Sequence, residues 1–168
     1  FSQDMRRRGL APSTRLISLT SAVPPEDVAA ALGLTEGRPA WHIVRIRLAD
    51  DSPIAHEDGW YTADLLPDLD AQDVGGGSLY QIMATHYGCI VDHAEQTLWG
   101  EAADVGLASL LQAPQGTPLL VFRRISSAGG RPVEHVVSRY RGDRYQIHME
   151  LRRDSESPAE STPEGKTL

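Results

Sequence analysis

Apolar and polar residues alternate with period two along most of this chain, the pattern of strands with one buried face. TRLISLT, residues 14–20, is the first such run. PPEDVAAAL behind it opens with two prolines suited to a helix start and carries acids in its first turn. Gly33 and Gly37 close that short helix. AWHIVRIRLA (40–49) alternates again, turns at ADDSP and returns as IAHEDGWYT (54–62), a hairpin. After GGG the period changes. Ser78 stands as an N-cap, Leu79, Ile82, Met83 and His86 fall at helical spacing, and Gly88 stops the run, predicting a helix over 79–87. A strand over 90–99, a short helix over 103–111 and a second hairpin over 119–127 and 132–140 follow, the hairpin turning at AGGR. An RGDR corner leads to a last strand over 145–152. Strands outnumber helices and connect as antiparallel neighbours, so the predicted class is α+β, a central antiparallel sheet with helices gathered against it.

Composition narrows this to one folded unit. The chain has 168 residues, 40% hydrophobic, enough for one compact domain with its own core. The last residues, DSESPAESTPEGKTL (154–168), cannot bury enough surface to offset their ordering entropy, so we expect a domain over 1–153 and a disordered tail. The charged opening FSQDMRRRG reads as a segment leading in from something upstream. A net charge of −7 argues against phosphate backbones and anionic membranes as partners of this chain. No run approaches the roughly 18 apolar residues of a membrane span. A lone cysteine, Cys89, leaves no disulfide framework and suits a reducing interior, with the cytoplasm as the expected compartment.

Three constellations have chemical content. On the 40–49 strand Arg45 and Arg47 share a face, about 7 Å apart, and suit a phosphate or carboxylate; a solvated face with surface ion pairs is the plain alternative. Glu57 joins that face if odd residues pair with odd across the hairpin; a slip of one residue would put Ile54 and His56 there instead. The glycine run and Ser78 offer free amides and a hydroxyl at a helix start, a setting for an anion or simply a flexible capped loop. Tyr80 in the first turn either faces that anion or packs. On the 132–140 strand Glu134, Val136, Ser138 and Tyr140 share one face, with the carboxylate and hydroxyls that a sugar-like ligand would use, or that solvent would.

Catalytic and metal patterns are poor. The histidines (His42, His56, His86, His93, His135 and His148) fit no ligand spacing, and no G-x-S-x-G elbow exists, so we expect no metal, no cofactor and no enzyme. Cys89 reads as a small buried apolar residue. Trp41, Trp60 and Trp99 all fall on strands and are expected to pack.

FSQDMRRRGLAPSTRLIS, IVRIRLADDSPIAHE, SLYQIM, AEQT and GRPVEHVVSRYRGDRYQIHMELRR together resemble the UTRA domain, the effector-binding half of GntR-type transcription regulators of the HutC subfamily. The resemblance covers residues 1–153. It implies a chorismate-lyase-like fold and a homodimer that binds a small-molecule effector. Operator DNA is gripped only through an N-terminal winged helix-turn-helix, absent from this chain, and repression is the family's commoner habit. In the branch that senses amino-sugar phosphates, the matching positions imply that Arg45, Arg47, Ser78, Tyr80 and Ser2 hold the phosphate. Glu57, Glu134 and Tyr140 would meet the sugar. GGGS carries an extra residue before Ser78, and Trp60 and Tyr61 follow Glu57 where smaller residues are expected, which would reshape the pocket. Three rival readings stand beside this one, the first a UTRA sensor for a non-phosphorylated acid. A lyase of the same fold would use a glutamate as general acid, and a dimerisation domain without effector would have its pocket choked by Trp60 or Trp41.

Overall fold

The computed structural model describes residues 2–69, 74–75 and 78–148. Within them the chain runs α1 (Ser2–Arg7), β1 (Pro12–Ala22), α2 (Glu26–Ala31), β2 (Ala40–Ala49), β3 (Ser52–Tyr61), α3 (Leu79–Tyr87), β4 (His93–Ala102), α4 (Val105–Leu110), β5 (Pro118–Ala128) and β6 (Arg131–Arg141). The strands form one antiparallel sheet in the order β1-β2-β3-β6-β5-β4. Two three-strand meanders therefore meet along their last strands, and β1 and β4 are the sheet's edges. The expected α+β class and central antiparallel sheet are what the chain forms. The expected tail over 154–168 lies outside the described residues. No helix among the described residues is long and apolar enough to cross a membrane.

Helices cover both faces. On the front, Met5 of α1 packs with Ala55 and Tyr140, and Leu79 and Met83 of α3 pack with Ile43, Tyr61 and Val136. On the back, Ala108 of α4 meets Leu119 and Val121, and Val28 of α2 lies beside Trp60 and Val137. Cys89 is buried, as expected. Trp41 packs and donates its indole N–H to the Leu66 carbonyl at 2.8 Å. Trp99 departs from expectation: it lies on edge strand β4 and is exposed.

Both central hairpins use turns with left-handed residues, Asp50 and Asp51 in one, Gly129 and Gly130 in the other. Each return strand then carries a bulge directly after a proline. Leu48 faces Pro53 but Arg47 faces Ala55, skipping Ile54; Ser127 faces Pro132 but Ser126 faces Glu134, skipping Val133. Proline lacks the N–H that a regular ladder needs at that point, and a bulge is how a strand absorbs the loss. Ile54 and Val133, the skipped residues, are buried in the front core.

Two features differ from the pattern-based reading. The opening, read as a lead-in segment, is a helix whose Met5 is 1% exposed. The expected last strand is not formed over residues 145–148, and 149–152 lie outside the described residues. The N–H groups of Arg144 and Tyr145 both bond back to the Arg141 carbonyl, and Tyr145 stacks on Tyr140 at 4.2 Å. Both neighbours of β6 are already taken by β3 and β5, so no free edge exists beside it for a further strand.

Gly59, midway along β3, makes room for the ring of Tyr61: a Cβ there would sit 2.8 Å from Tyr61 Cε2 and 3.1 Å from Val136 Cγ2. Gly59→Ala overpacks this point and is expected to lower unfolding free energy by about 1–3 kcal/mol, measured by urea titration. Unchanged stability would show that the Tyr61 ring shifts freely.

Candidate ligand-binding site

Strand register writes the site as rows across the front of the sheet. One row reads Arg45, Glu57, Ser138, Phe122; the next toward the hairpin turn of β2 and β3 reads Arg47, Ala55, Tyr140, Leu120. On the other side come Ile43, Gly59, Val136, Arg124, Gln96, and then Trp41, Tyr61, Glu134, Ser126. Odd pairs with odd between β2 and β3, which places Glu57 beside Arg45 and leaves His56 on the back. These rows floor a cavity of about 650 Å³, and the start of α3, residues Ser78 to Gln81, forms part of its wall.

Its charged floor is buried. Arg45, Arg47 and Glu57 are 5%, 6% and 8% exposed. Arg45 donates through Nη2 to Glu57 Oε2 at 2.8 Å, and Arg47 Nη1 lies 3.7 Å from the same oxygen. Burial alone would push the Glu57 carboxyl up, but the two guanidiniums outweigh it and hold it below the usual carboxylate range. Burial lowers Arg47, whereas for Arg45 the same burial is outweighed by Glu57 and the net shift is upward. Two cations thus share one carboxylate, and Arg45 Nη1 is buried with no hydrogen-bond partner among the described residues. A buried donor left unpaired is costly, and an anion arriving in the cavity would supply what it lacks.

A second corner surrounds Glu134, 3% exposed. Ser126 Oγ donates to Glu134 Oε1 at 2.7 Å, and the Tyr80 hydroxyl donates to the same oxygen. Burial pushes this carboxyl up, and the donors only partly counter it. Arg124 Nη1 approaches the Tyr80 oxygen at 3.5 Å. Its Nε and Nη2 both donate to Gln96 Oε1, at 3.0 and 2.7 Å.

Of the residues singled out from sequence, Arg45, Arg47, Glu57, Ser78, Tyr80, Glu134 and Tyr140 all line this cavity. Ser2 opens α1, but its side chain lies outside what is described. Ser78 occupies the N-cap position of α3, yet its side chain makes no capping bond. Gly76 and Gly77 lie outside the described residues, so the extra residue expected before Ser78 has no structural account. Tyr61 does line the cavity. Trp60 does not: it faces the back, stacked on His42 at 4.1 Å, beside a smaller cavity of about 230 Å³. Neither Trp60 nor Trp41 chokes the front cavity. Among the described residues no group of histidines, cysteines and acids could hold a metal ion.

Pattern reading missed Arg6, Gln96 and Arg124, which also line the cavity. Arg124 shares a strand face with Phe122 and Ser126, but only the bulge after Pro132 brings that face to the front. Arg6 needed α1, which has no period long enough to detect.

Such a sheet, with a buried polar floor open to one side, defines a small-molecule-binding domain. The chain belongs to the UTRA domain family, whose model matches residues 7–146. It is 33% identical over 146 residues to the HTH-type transcriptional repressor NagR of Bacillus subtilis, covering 86% of this chain and 60% of that protein. To the histidine utilization repressor of Pseudomonas putida it is 25% identical, over 88% of this chain and 58% of the relative. The effector domain of PhnF from Mycobacterium smegmatis shares the fold, with a TM-score of 0.84 at 24% identity, covering 90% of this chain and 94% of that one. The chain therefore spans about 60% of the length of the curated relatives it matches. The relatives are named as repressors, which supports a regulatory domain over the lyase reading.

Glu134 gives a pH signature. Its pKa in the fold is raised, so the stability it contributes is complete below the unfolded value, about pH 4.3, and is lost as pH rises through the raised one. Glu134→Gln removes that loss. In thermal melts the difference between variant and wild type should move in the variant's favour as pH rises, the opposing contribution of Glu57 being common to both. A difference that stays constant with pH would contradict this assignment.

Proposed function

We propose that this domain senses a small phosphorylated metabolite, an amino-sugar phosphate, and by binding it modulates how the complete regulator holds operator DNA. The observation that carries this reading is the unpartnered Nη1 of buried Arg45, set beside Arg47 and the start of α3. The cavity wall holds four guanidiniums, Arg6, Arg45, Arg47 and Arg124, against two carboxylates, Glu57 and Glu134, in a chain whose net charge is −7. Local positive charge inside an acidic domain selects an anion without attracting nucleic acid. The Ser78 hydroxyl, free of capping duty, and the first amides of α3 add neutral donors for phosphate oxygens. Glu57, Glu134 and Tyr140 then face the sugar's hydroxyl and amine groups.

Coupling to DNA runs through α1 on this reading. Met5 packs against Tyr140, Arg6 lines the cavity, and Arg8 lies over the ring of Tyr145 at 5.0 Å and donates to the Gln146 carbonyl. A ligand seated on Tyr140 and Arg6 therefore restrains α1, the first helix of the chain. Its differential affinity for two arrangements of a homodimer is what shifts operator occupancy, in the cytoplasm and with no membrane partner.

Calorimetry with glucosamine 6-phosphate and N-acetylglucosamine 6-phosphate, each beside its unphosphorylated counterpart, tests the phosphate clamp. Binding should require the phosphate, and Arg45→Gln should weaken it by about 10- to 100-fold, the worth of one charged hydrogen bond. Equal affinity with and without phosphate would overturn the reading. Sedimentation of the chain at tens of micromolar should give a dimer; a monomer with full effector affinity would remove the dimer from the mechanism.

A further inference from the structure

The cavity that holds the proposed phosphate clamp is lined by a further cation, Arg124, on a strand remote from Arg45. Arg124 stands on β5, three strand spacings from Arg45 on β2, about 14 Å across the sheet. Its setting differs from that of the other well-held arginines. Arg38, Arg139 and Arg141 each pair with a carboxylate, of Asp64, Glu101 and Asp143 respectively. Arg124 is held by a neutral amide, Gln96, its row neighbour on β4, which fixes the Nε and Nη2 edge without cancelling the charge. Among the described residues no carboxylate forms an ion pair with it. Glu134 stands behind the Tyr80 phenol, already accepting from Ser126 and Tyr80. Nη1 reaches the Tyr80 oxygen at 3.5 Å, and the remaining Nη1 and Nη2 hydrogens border the cavity, which Arg124 lines. Such a pair of donors matches a planar carboxylate in two-point contact.

We infer that the effector carries a second acidic group, a carboxylate on the side of the sugar remote from its phosphate, and that Arg124, positioned by Gln96, receives it. This rests on the phosphate-clamp reading. A phosphate on Arg45 and Arg47 leaves the sugar lying over β3 and β6, where Glu57, Ser138 and Glu134 meet it, and directs its far substituent toward β5. The preferred ligand is then a sugar phosphate of the proposed kind that also bears a carboxylate, and simple hexose phosphates bind more weakly. Arg124 is a specificity-determining residue for it, and Gln96 a positioning residue.

Two matched pairs test this by calorimetry. N-Acetylmuramic acid 6-phosphate differs from N-acetylglucosamine 6-phosphate by one carboxylate-bearing ether, and 6-phosphogluconate differs from glucose 6-phosphate by a carboxylate at carbon 1 and the open chain that comes with it. In at least one pair the acid should bind tenfold tighter or more. Arg124→Gln should bring the members of that pair to equal affinity, and Gln96→Ala should narrow the gap. Arg45→Gln should weaken both members together. No preference for the acid in either pair, or a preference that survives Arg124→Gln, overturns the inference while leaving the phosphate clamp standing. Binding that is insensitive to phosphate and to Arg45→Gln fells the clamp first, and this inference with it. Melting points of the variants near that of wild type would confirm that the fold is intact, and the side chain of Arg124 is exposed enough for that to be expected.

Discussion

Two prolines decide which way the polar side chains of this domain point. Pro53 and Pro132 each follow a hairpin turn by one residue, and each is followed by a bulge that shifts the strand register by one. Without the first shift Arg45 would face His56 and not Glu57. Without the second, Ser126 would face Val133 and not Glu134. A one-residue slip exchanges the two faces of a strand, so the carboxylates that now floor the cavity would stand on the back of the sheet. The bulged residues Ile54 and Val133 are themselves buried in the front core, which ties the shift to apolar packing and fixes it. The symmetry of the fold, two meanders joined at their third strands, brings both devices to the centre.

Register in turn concentrates charge where water is scarce. Three ionised groups within one patch, Arg45, Arg47 and Glu57, give a surplus of one positive charge under the cavity. Desolvating an ion costs several kcal/mol, and a pair regains this only when its geometry and remaining hydrogen bonds are good. Glu57 regains it by sharing two guanidiniums. Arg45 does not regain it fully, because Nη1 is left unbonded. An anion that completes the set therefore supplies a bond that this buried donor lacks. The same reasoning separates Arg45 from Arg38, whose pairing with Asp64 is on the surface and contributes little.

Much of this was legible in the chain and some was not, for reasons that follow from the same geometry. Alternation alone named β2 and β6 and sorted Arg45 with Arg47, and Glu134 with Tyr140, because a strand's faces follow from period two. It could not decide whether Glu57 joined the arginines, since that required the bulge after Pro53. Arg124 was equally invisible: its importance depends on a register across two strand pairs and on Gln96 one strand further out. Trp60 was read as a threat to the pocket, yet alternation from Glu57 already puts it on the opposite face. Period-two patterning begins at Tyr145, yet over 145–148 no strand forms: the chain turns back on Arg141 and Tyr145 stacks on Tyr140 instead. α1 was missed because six residues offer less than two helical turns of pattern.

On the proposed reading, a rigid sheet suits a sensor. Side chains on paired strands hold their spacing, so the floor is preorganised and its affinity does not depend on closing a loop. What responds must then lie at the periphery, and α1 is the element so placed. It is short, anchored by Met5, and tied to the cavity through Arg6 and to the segment after β6 through Arg8 and Tyr145. Tyr145 stacks on Tyr140, which is cavity wall, so a ligand pressing on Tyr140 acts on the support of α1 as well as on Arg6. A short helix with one buried anchor has low intrinsic stability, and modest ligand contacts can change its population by the few kcal/mol that allosteric coupling requires. On the proposed reading, a fixed floor that recognises charge and a weakly held helix that reports occupancy divide the work of sensing between them.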